Sequence, residues 1–310
     1  MTNLKNCSSI LKPTVPFEQA TGSPKYGLTN DYMFRVVFQE NELARKGLIA
    51  AVLHINPNCI HSISIRNPIT PGSKLEDKEF VLDLKVLLNN NHLINLEMQM
   101  TDQHNWQDRS LSYLCRSFDQ LYKGEEYAEA KPATHIGCLN FAPFPEHLEF
   151  NGCYKLLNIK NHIPYSDKLT LYVVDLTHIE LATEEDKTWQ IDYWARLFTA
   201  TTWEELKMIA NNNSYLEEAA ETMYELNADE MIQQRCRARN DYYKEVNTNL
   251  RNLRELEKAK KVIEEKDKRI DSKHKTIEDK EKLIVDKDKL IEGKDKEIEL
   301  LKKQLAEQNA

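Results

Sequence analysis

The chain has 310 residues, 41% hydrophobic and 30% charged, with a formal net charge of −8, which is room for one large domain or two ordinary ones. Its mean hydropathy of −0.63 is polar for a globular protein and places part of the chain outside any packed core. Residues 251–310 hold 18 Lys/Arg and 16 Asp/Glu, leaving −10 on residues 1–250; bulk charge therefore does not draw that part to nucleic acid, and phosphate binding needs a local basic patch.

Residues 1–25, with three prolines and no long apolar run, read as a loose leader that packs only in part, rather than as a signal peptide. The segment LTNDYMFRVVFQENELARKGLIAAVLHI then reads as helical, with Thr29 or Asn30 as its cap and Phe34, Val37 and Phe38 opening an apolar stripe. Residues 80–88 and 92–100 are strand candidates. Asp102 to Lys123 has the helical period, with Leu111, Leu114, Cys115, Phe118, Leu121 and Tyr122 as its apolar face. Strands are expected at 135–144 and 168–176, and helices from Trp189 to about residue 245. That order describes a mixed α/β domain over residues 26–245.

Nowhere does an apolar run approach the ~18 residues of a membrane span. Cys7, Cys59, Cys115, Cys138, Cys153 and Cys236 include no CxxC pair and no zinc spacing. Surroundings such as LCRSF and IGCLNF suggest buried, reduced thiols, and the expected location is the cytoplasm.

Residues 246–310 form a third region. From Glu264 the chain repeats every seven residues, marked by Ile263, Ile270, Ile277, Ile284, Ile291 and Ile298. This implies a long charged helix or coiled coil, roughly 90 Å if fully helical. Lysines 266, 273, 280, 287 and 294 fill the second seam position. A solvated helix and a homo-oligomeric stalk through residues 250–305 are both open.

The most informative stretch is FVLDLKVLLNNNHLINLEMQM, residues 80–100. Alternation along a strand puts Phe80, Leu82, Leu84, Val86 and Leu88 on one face and Asp83 and Lys85 on the other. In the second run Ile94, Leu96, Met98 and Met100 oppose Asn95, Glu97 and Gln99. A turn at Asn89-Asn90-Asn91 folds the hairpin about Asn90 and keeps both apolar faces aligned. It also sets Asp83 across from Glu97, about 4.5–5.5 Å apart at Cβ. Two carboxylates that close repel unless a cation intervenes. A divalent ion held by Asp83 and Glu97, with or without a backbone carbonyl, and completed by water answers this with the oxygen ligands Mg²⁺ prefers. The alternative is an exposed acidic sheet face with Lys85 as counter-charge.

These residues resemble the PD-(D/E)XK nuclease signature with glutamine at the lysine position. More specifically, the chain resembles the recombination-promoting nuclease/putative transposase family from about Tyr26 to Tyr243. The likeness is carried by LTNDYMFRVVF, DLKVLL…LINLEMQ, WQDRSLSYLCRSFDQLYKGEEY, KPATHIGCLNFAPFPE and LNADEMIQQRCRAR. It implies a restriction-endonuclease-like mixed sheet flanked by helices, Mg²⁺- or Mn²⁺-dependent DNA cleavage, and a role in recombination or a mobile element. Asp83 and Glu97 would be the metal ligands, Gln99 would stand at the lysine position, and Asp31 would complete the acidic cluster or satisfy the helix start. Leu82 replaces proline and Arg35 replaces lysine. Glutamine at 99 matters more, because an amide neither deprotonates water nor offsets negative charge.

In the helix after the second strand, Arg109, Arg116 and Lys123 recur every seven residues, with Tyr113 between the first two. They read either as a DNA-contacting basic stripe or as an ordinary solvated face. The two functional expectations are a metal-dependent DNA endonuclease and a catalytically silent nuclease-like protein acting through coiled-coil assembly. A serine- or cysteine-dependent hydrolase finds no Gly-x-Ser-x-Gly elbow.

Overall fold

Two asparagines with left-handed backbone, Asn89 (φ 49°) and Asn90 (φ 57°), form the turn between the first long strands, a conformation asparagine tolerates better than most residues. The computed structural model describes residues 13–69, 83–121 and 123–308. Residues 80–82 of the expected first strand, Tyr122, Cys7 and residues 1–12 of the expected leader lie outside the described residues.

The turn joins β2 (Leu84–Leu88) to β3 (His92–Gln99). Their antiparallel register pairs Leu84 with Leu96, Lys85 with Asn95 and Val86 with Ile94, the alignment about Asn90 that hydrophobic patterning requires. With β1 (Ile63–Ile65), β4 (Ala133–Leu139), β5 (Asn151–Lys155) and β6 (Leu169–Asp175) they form a six-stranded sheet of order β1-β2-β3-β4-β6-β5. The central strands β3, β4 and β6 run parallel, and β1, β2 and β5 are antiparallel to their neighbours. β1 and β5 were not expected. β1 has only three residues, and β5 is a polar edge strand, NGCYK, without the alternation that marks a half-buried one.

One sheet face carries the main core. Leu84, Val86, Leu88, Ile94, Leu96, Met98, Ile136, Cys138 and Val174 pack with the helical layer of α1 (Asp31–Glu40), α2 (Glu42–Val52), α5 (Ile191–Thr199) and α7 (Ser214–Asn227). The expected first helix is two helices. Asn41 ends α1, and its side chain accepts from Ala44 N to cap α2, so one residue serves both termini. Phe34, Phe38, Trp194 and Phe198 form an aromatic cluster with centroids 4.7–6.1 Å apart. Within the leader, Phe17 packs on Trp203 and Tyr224. The short α4 (Glu184–Thr188) and α6 (Trp203–Ala210) begin with capping boxes at Thr183 and Thr202.

The other face is covered by α3 (Trp106–Phe118), where Trp106 packs with Leu139 and Val173. This helix is shorter than expected and turned. Its buried residues are Trp106, Ser110, Leu114 and Ser117, while Leu111 and Cys115 are exposed. Small serines let the helix sit close to the sheet, and close approach, not apolar periodicity, chose the buried side. The tightest point is Gly137 of β4, where a Cβ would lie 2.2 Å from Trp106 Cη2.

The chain divides into two units, Met1–Asn247 and Thr248–Ala310. α8 (Glu230–Gln308) begins in the first, where Ile232, Cys236 and Arg239 are buried. Asn30 Nδ2 donates to Cys236 O at 2.9 Å and to Asn240 Oδ1 at 2.8 Å. In the second unit Ile263, Ile270, Ile277, Ile284, Ile291 and Ile298 are all exposed. Among the described residues no helix is long and apolar enough to cross a membrane.

Gly137→Ala should destabilise the first unit by ~1–3 kcal/mol, the usual cost of overpacking, read as a lower urea midpoint. An unchanged midpoint would show that α3 is free to back away from the sheet.

Candidate active site

On β3 the side chains of Asn95, Glu97 and Gln99 share the face opposite Leu96 and Met98, and all three are buried beneath α3. Asp83 lies one residue before β2, on the parity of Lys85. Its backbone is fixed by Asn67, whose Nδ2 donates to Asp83 O at 3.0 Å while its Oδ1 accepts from Lys85 N at 2.8 Å. Asn67 thus continues with its side chain the pairing that β1 ends at Ile65. The register places Asp83 next in line across from Glu97, and both carboxylates are almost fully buried.

Burial dominates their electrostatics. It raises Asp83 above the ordinary carboxylate range, against the opposing charges of Lys85, Arg35 and Arg109. It pushes Glu97 up to about 7, with Arg109 pulling down and the charges of Asp83 and Asp31 adding to the rise. Each acid keeps one oxygen, Asp83 Oδ2 and Glu97 Oε2, buried with no hydrogen-bond partner among the described residues. Such groups are costly.

Arg109 does not face solvent beside Arg116. It turns into the site, and its Nη2 donates to Glu97 Oε1 at 2.5 Å. Tyr113, one turn on, lies under the Arg109 guanidinium at 5.3 Å and stacks parallel to the His135 ring at 6.0 Å. Arg116 is exposed on α3, and Lys123 is exposed beyond the end of the helix. The expected stripe is therefore not one helical face: α3 ends at Phe118, and Gly124 adopts a φ of 101° in the turn that follows. Gln99 is buried with its Nε2 donating to Thr101 O at 3.0 Å, so its amide serves its own strand end.

Asp31, on the first turn of α1, is clamped from α8. Arg239 Nε lies 3.0 and 3.1 Å from its two oxygens, Arg239 Nη2 bonds Oδ2, and Tyr243 OH donates to Oδ2 at 2.7 Å. The helix-start N–H is satisfied by Asn30 instead, whose side chain accepts from Met33 N at 3.1 Å. Asp31 belongs to the acidic neighbourhood through its charge on Glu97, while its own oxygens are engaged.

Two members went unread in the sequence. His135 is fully buried on β4, with Nδ1 facing Asn95 Nδ2 at 2.9 Å and Nε2 3.9 Å from Glu97 Oε2. With Asn95 as donor the ring carries its proton on Nε2. Burial, then the charge of Arg109, lowers His135 to about 3, so it stays neutral. Its signal was a histidine set among small and apolar residues on one face of ATHIGCL, between Ala133 and Gly137. Arg239 lies 208 residues from Asp31, and local periodicity does not report such a pair.

Among the described residues no three His, Cys, Asp or Glu side chains gather as a metal cage. Mg²⁺ does not require one, since one or two carboxylates plus water and phosphate suffice. The two unpartnered oxygens fit that donor set in number and hardness.

A family model described as PD-(D/E)XK nuclease family transposase matches residues 28–253. The chain belongs to that family. Its mixed sheet with flanking helices is consistent with the restriction-endonuclease-like fold of PD-(D/E)XK domains. Searches of curated proteins and of solved structures give no match. Membership of the PD-(D/E)XK nuclease transposases points to a nuclease or mobile-element role with DNA as the substrate class.

His135 has a pKa near 6.5 when unfolded and about 3 when folded. Below pH 6.5 the unfolded chain binds more protons, so this residue removes stability as pH falls. Between pH 7 and 5, His135→Gln should gain about 2 kcal/mol relative to the wild type, measured by urea denaturation. Parallel pH profiles would show that the imidazole is not held neutral.

Proposed function

We propose that the protein is a divalent-metal-dependent DNA endonuclease that hydrolyses phosphodiesters in recombination or in the life of a mobile element. The observation that carries this is the pair of buried, unpartnered oxygens, Asp83 Oδ2 and Glu97 Oε2, on adjacent chain segments of a PD-(D/E)XK family member. Asp83 and Glu97 would hold Mg²⁺ or Mn²⁺, and the cation would supply Lewis-acid polarisation of a phosphoryl oxygen. Burial that drives both acids toward the proton also favours a cation that removes their repulsion.

The remaining residues divide the work. Arg109 occupies Glu97 Oε1. Gln99, a neutral amide bonded to Thr101 O, and His135, neutral with its proton on Nε2, are not proton acceptors here. Asp31, fixed by Arg239 and Tyr243, adds negative charge without offering a free oxygen. Arg116, exposed on α3, and Lys123, exposed after it, would contact phosphates, with Tyr113 supporting Arg109 from below. No recognisable base-reading element is present among these residues, so the reading expects little sequence preference.

Purified protein should nick or linearise plasmid with Mg²⁺ or Mn²⁺ and not with EDTA. Asp83→Asn and Glu97→Gln should each reduce this to background with circular dichroism unchanged. Cleavage surviving both substitutions would end the assignment.

A second reading is favoured by one feature, the row of isoleucines from Ile263 to Ile298, each about half exposed. On it the nuclease-like unit is silent and the helix assembles copies of the chain. Full-length protein would then sediment as concentration-dependent oligomers that disappear on truncation after residue 247, with no cleavage in any metal. A monomer at high concentration would exclude it.

A further inference from the structure

Arg109 divides Glu97 into two unequal halves. Oε1 takes Nη2 of the guanidinium at 2.5 Å, and Oε2 is left buried without a hydrogen-bond partner among the described residues, with His135 Nε2 3.9 Å away. Of the cations in this neighbourhood, Lys85 and Arg35 act on Asp83 through charge, and Arg35 Nη2 is bound to Asn67 O. Among the described residues Arg109 is the cation that bonds Glu97.

The guanidinium is itself held in place. It lies over Tyr113 at 5.3 Å, Tyr113 stacks on His135, and His135 packs on Trp106 with centroids 5.5 Å apart. Trp106 in turn sits against Gly137. This column runs from sheet to helix and leaves Arg109 little freedom. A planar fork pinned in this way sets a carboxylate's direction better than a flexible ammonium does.

We propose that Arg109 is the positioning residue of the carboxylate pair: by committing one oxygen of Glu97 it presents the other, beside Asp83, to a divalent cation. It also supplies the fixed positive charge that Gln99, next along the same strand face, does not. This rests on the nuclease reading for the identity of the cation but concerns a different residue and a different measurable quantity.

The probe is Mn²⁺ alone, titrated into full-length protein and followed by electron paramagnetic resonance, with plasmid cleavage run in parallel. Arg109→Gln should weaken Mn²⁺ binding by about 10–100-fold, the usual effect of removing a group that orients a metal ligand. Arg109→Lys should fall between it and the wild type. Arg109→Gln combined with Gln99→Lys should recover part of the loss, because the charge returns from the adjacent strand position. A merely structural role would not give that recovery.

Wild-type Mn²⁺ affinity in folded Arg109→Gln would overturn the proposal and leave the nuclease reading standing. Mn²⁺ binding that depends on Arg109 and Asp83, without any plasmid cleavage, would uphold the proposal and end the nuclease reading. No Mn²⁺ binding by the wild type would end both. Should Arg109→Gln not fold, Arg109→Lys decides: a loss of about threefold to tenfold supports the fork contact, and wild-type affinity refutes it.

Discussion

The buried ion pair between Glu97 and Arg109 is the constraint on which the rest of the site depends. A lone carboxylate under a helix costs several kcal/mol or takes up a proton. One arginine contact on one oxygen offsets part of that cost and leaves Glu97 near neutrality in its affinity for protons. The pair also fixes the register of α3 over β3, because Arg109 reaches the carboxylate only if the helix sits close. That closeness comes from Gly137 beneath Trp106 and from Ser110 and Ser117 on the buried side. Packing and electrostatics are therefore one problem here: a bulkier residue at 137 would loosen the contact that orients Glu97.

How much of this was legible follows from the distance over which each feature is encoded. The hairpin was readable because Asn89 and Asn90 supply left-handed turn residues and because strand alternation admits only one register with both apolar faces inward. Facing Asp83 toward Glu97 follows from those two facts. The long C-terminal helix was readable from its seven-residue repeat. The buried side of α3 was not, since its exposed Leu111 and Cys115 are more apolar than its buried Ser110 and Ser117. Counting apolar residues therefore pointed the helix the wrong way and turned Arg109 outward. In the same way the thiol of Cys138 is buried as its surroundings suggest, while that of Cys115 is exposed.

Asp31 shows the same limit at longer range. At the start of a helix a carboxylate has an evident local use beside the free N–H groups. The structure gives that use to Asn30 and pairs Asp31 with Arg239 and Tyr243, which enter from the first turns of α8. Arg239 is held over the rings of Tyr242 and Tyr243 at 4.9 and 5.0 Å, as Arg109 is held over Tyr113. Arg109 precedes Tyr113 and Arg239 precedes Tyr243 by four residues, about one helical turn. Two helices from distant parts of the chain thus use one device to hold one carboxylate each.

This pairing bears on how a −10 globular part meets an anionic polymer. Asp31, Asp83 and Glu97 are buried, and so are Arg35 and Arg239, so these five charges largely offset one another inside the fold and add little to the field outside. Coulomb interactions between exposed groups are screened within about 10 Å at moderate salt. What an approaching phosphate experiences is therefore local. It depends on whether the acids beneath α3 are compensated by a cation and on which basic groups reach the surface beside them. Arg109 is about one quarter exposed, intermediate between the buried arginines and the exposed Arg116. It is the residue at which the interior charge balance and the external field meet.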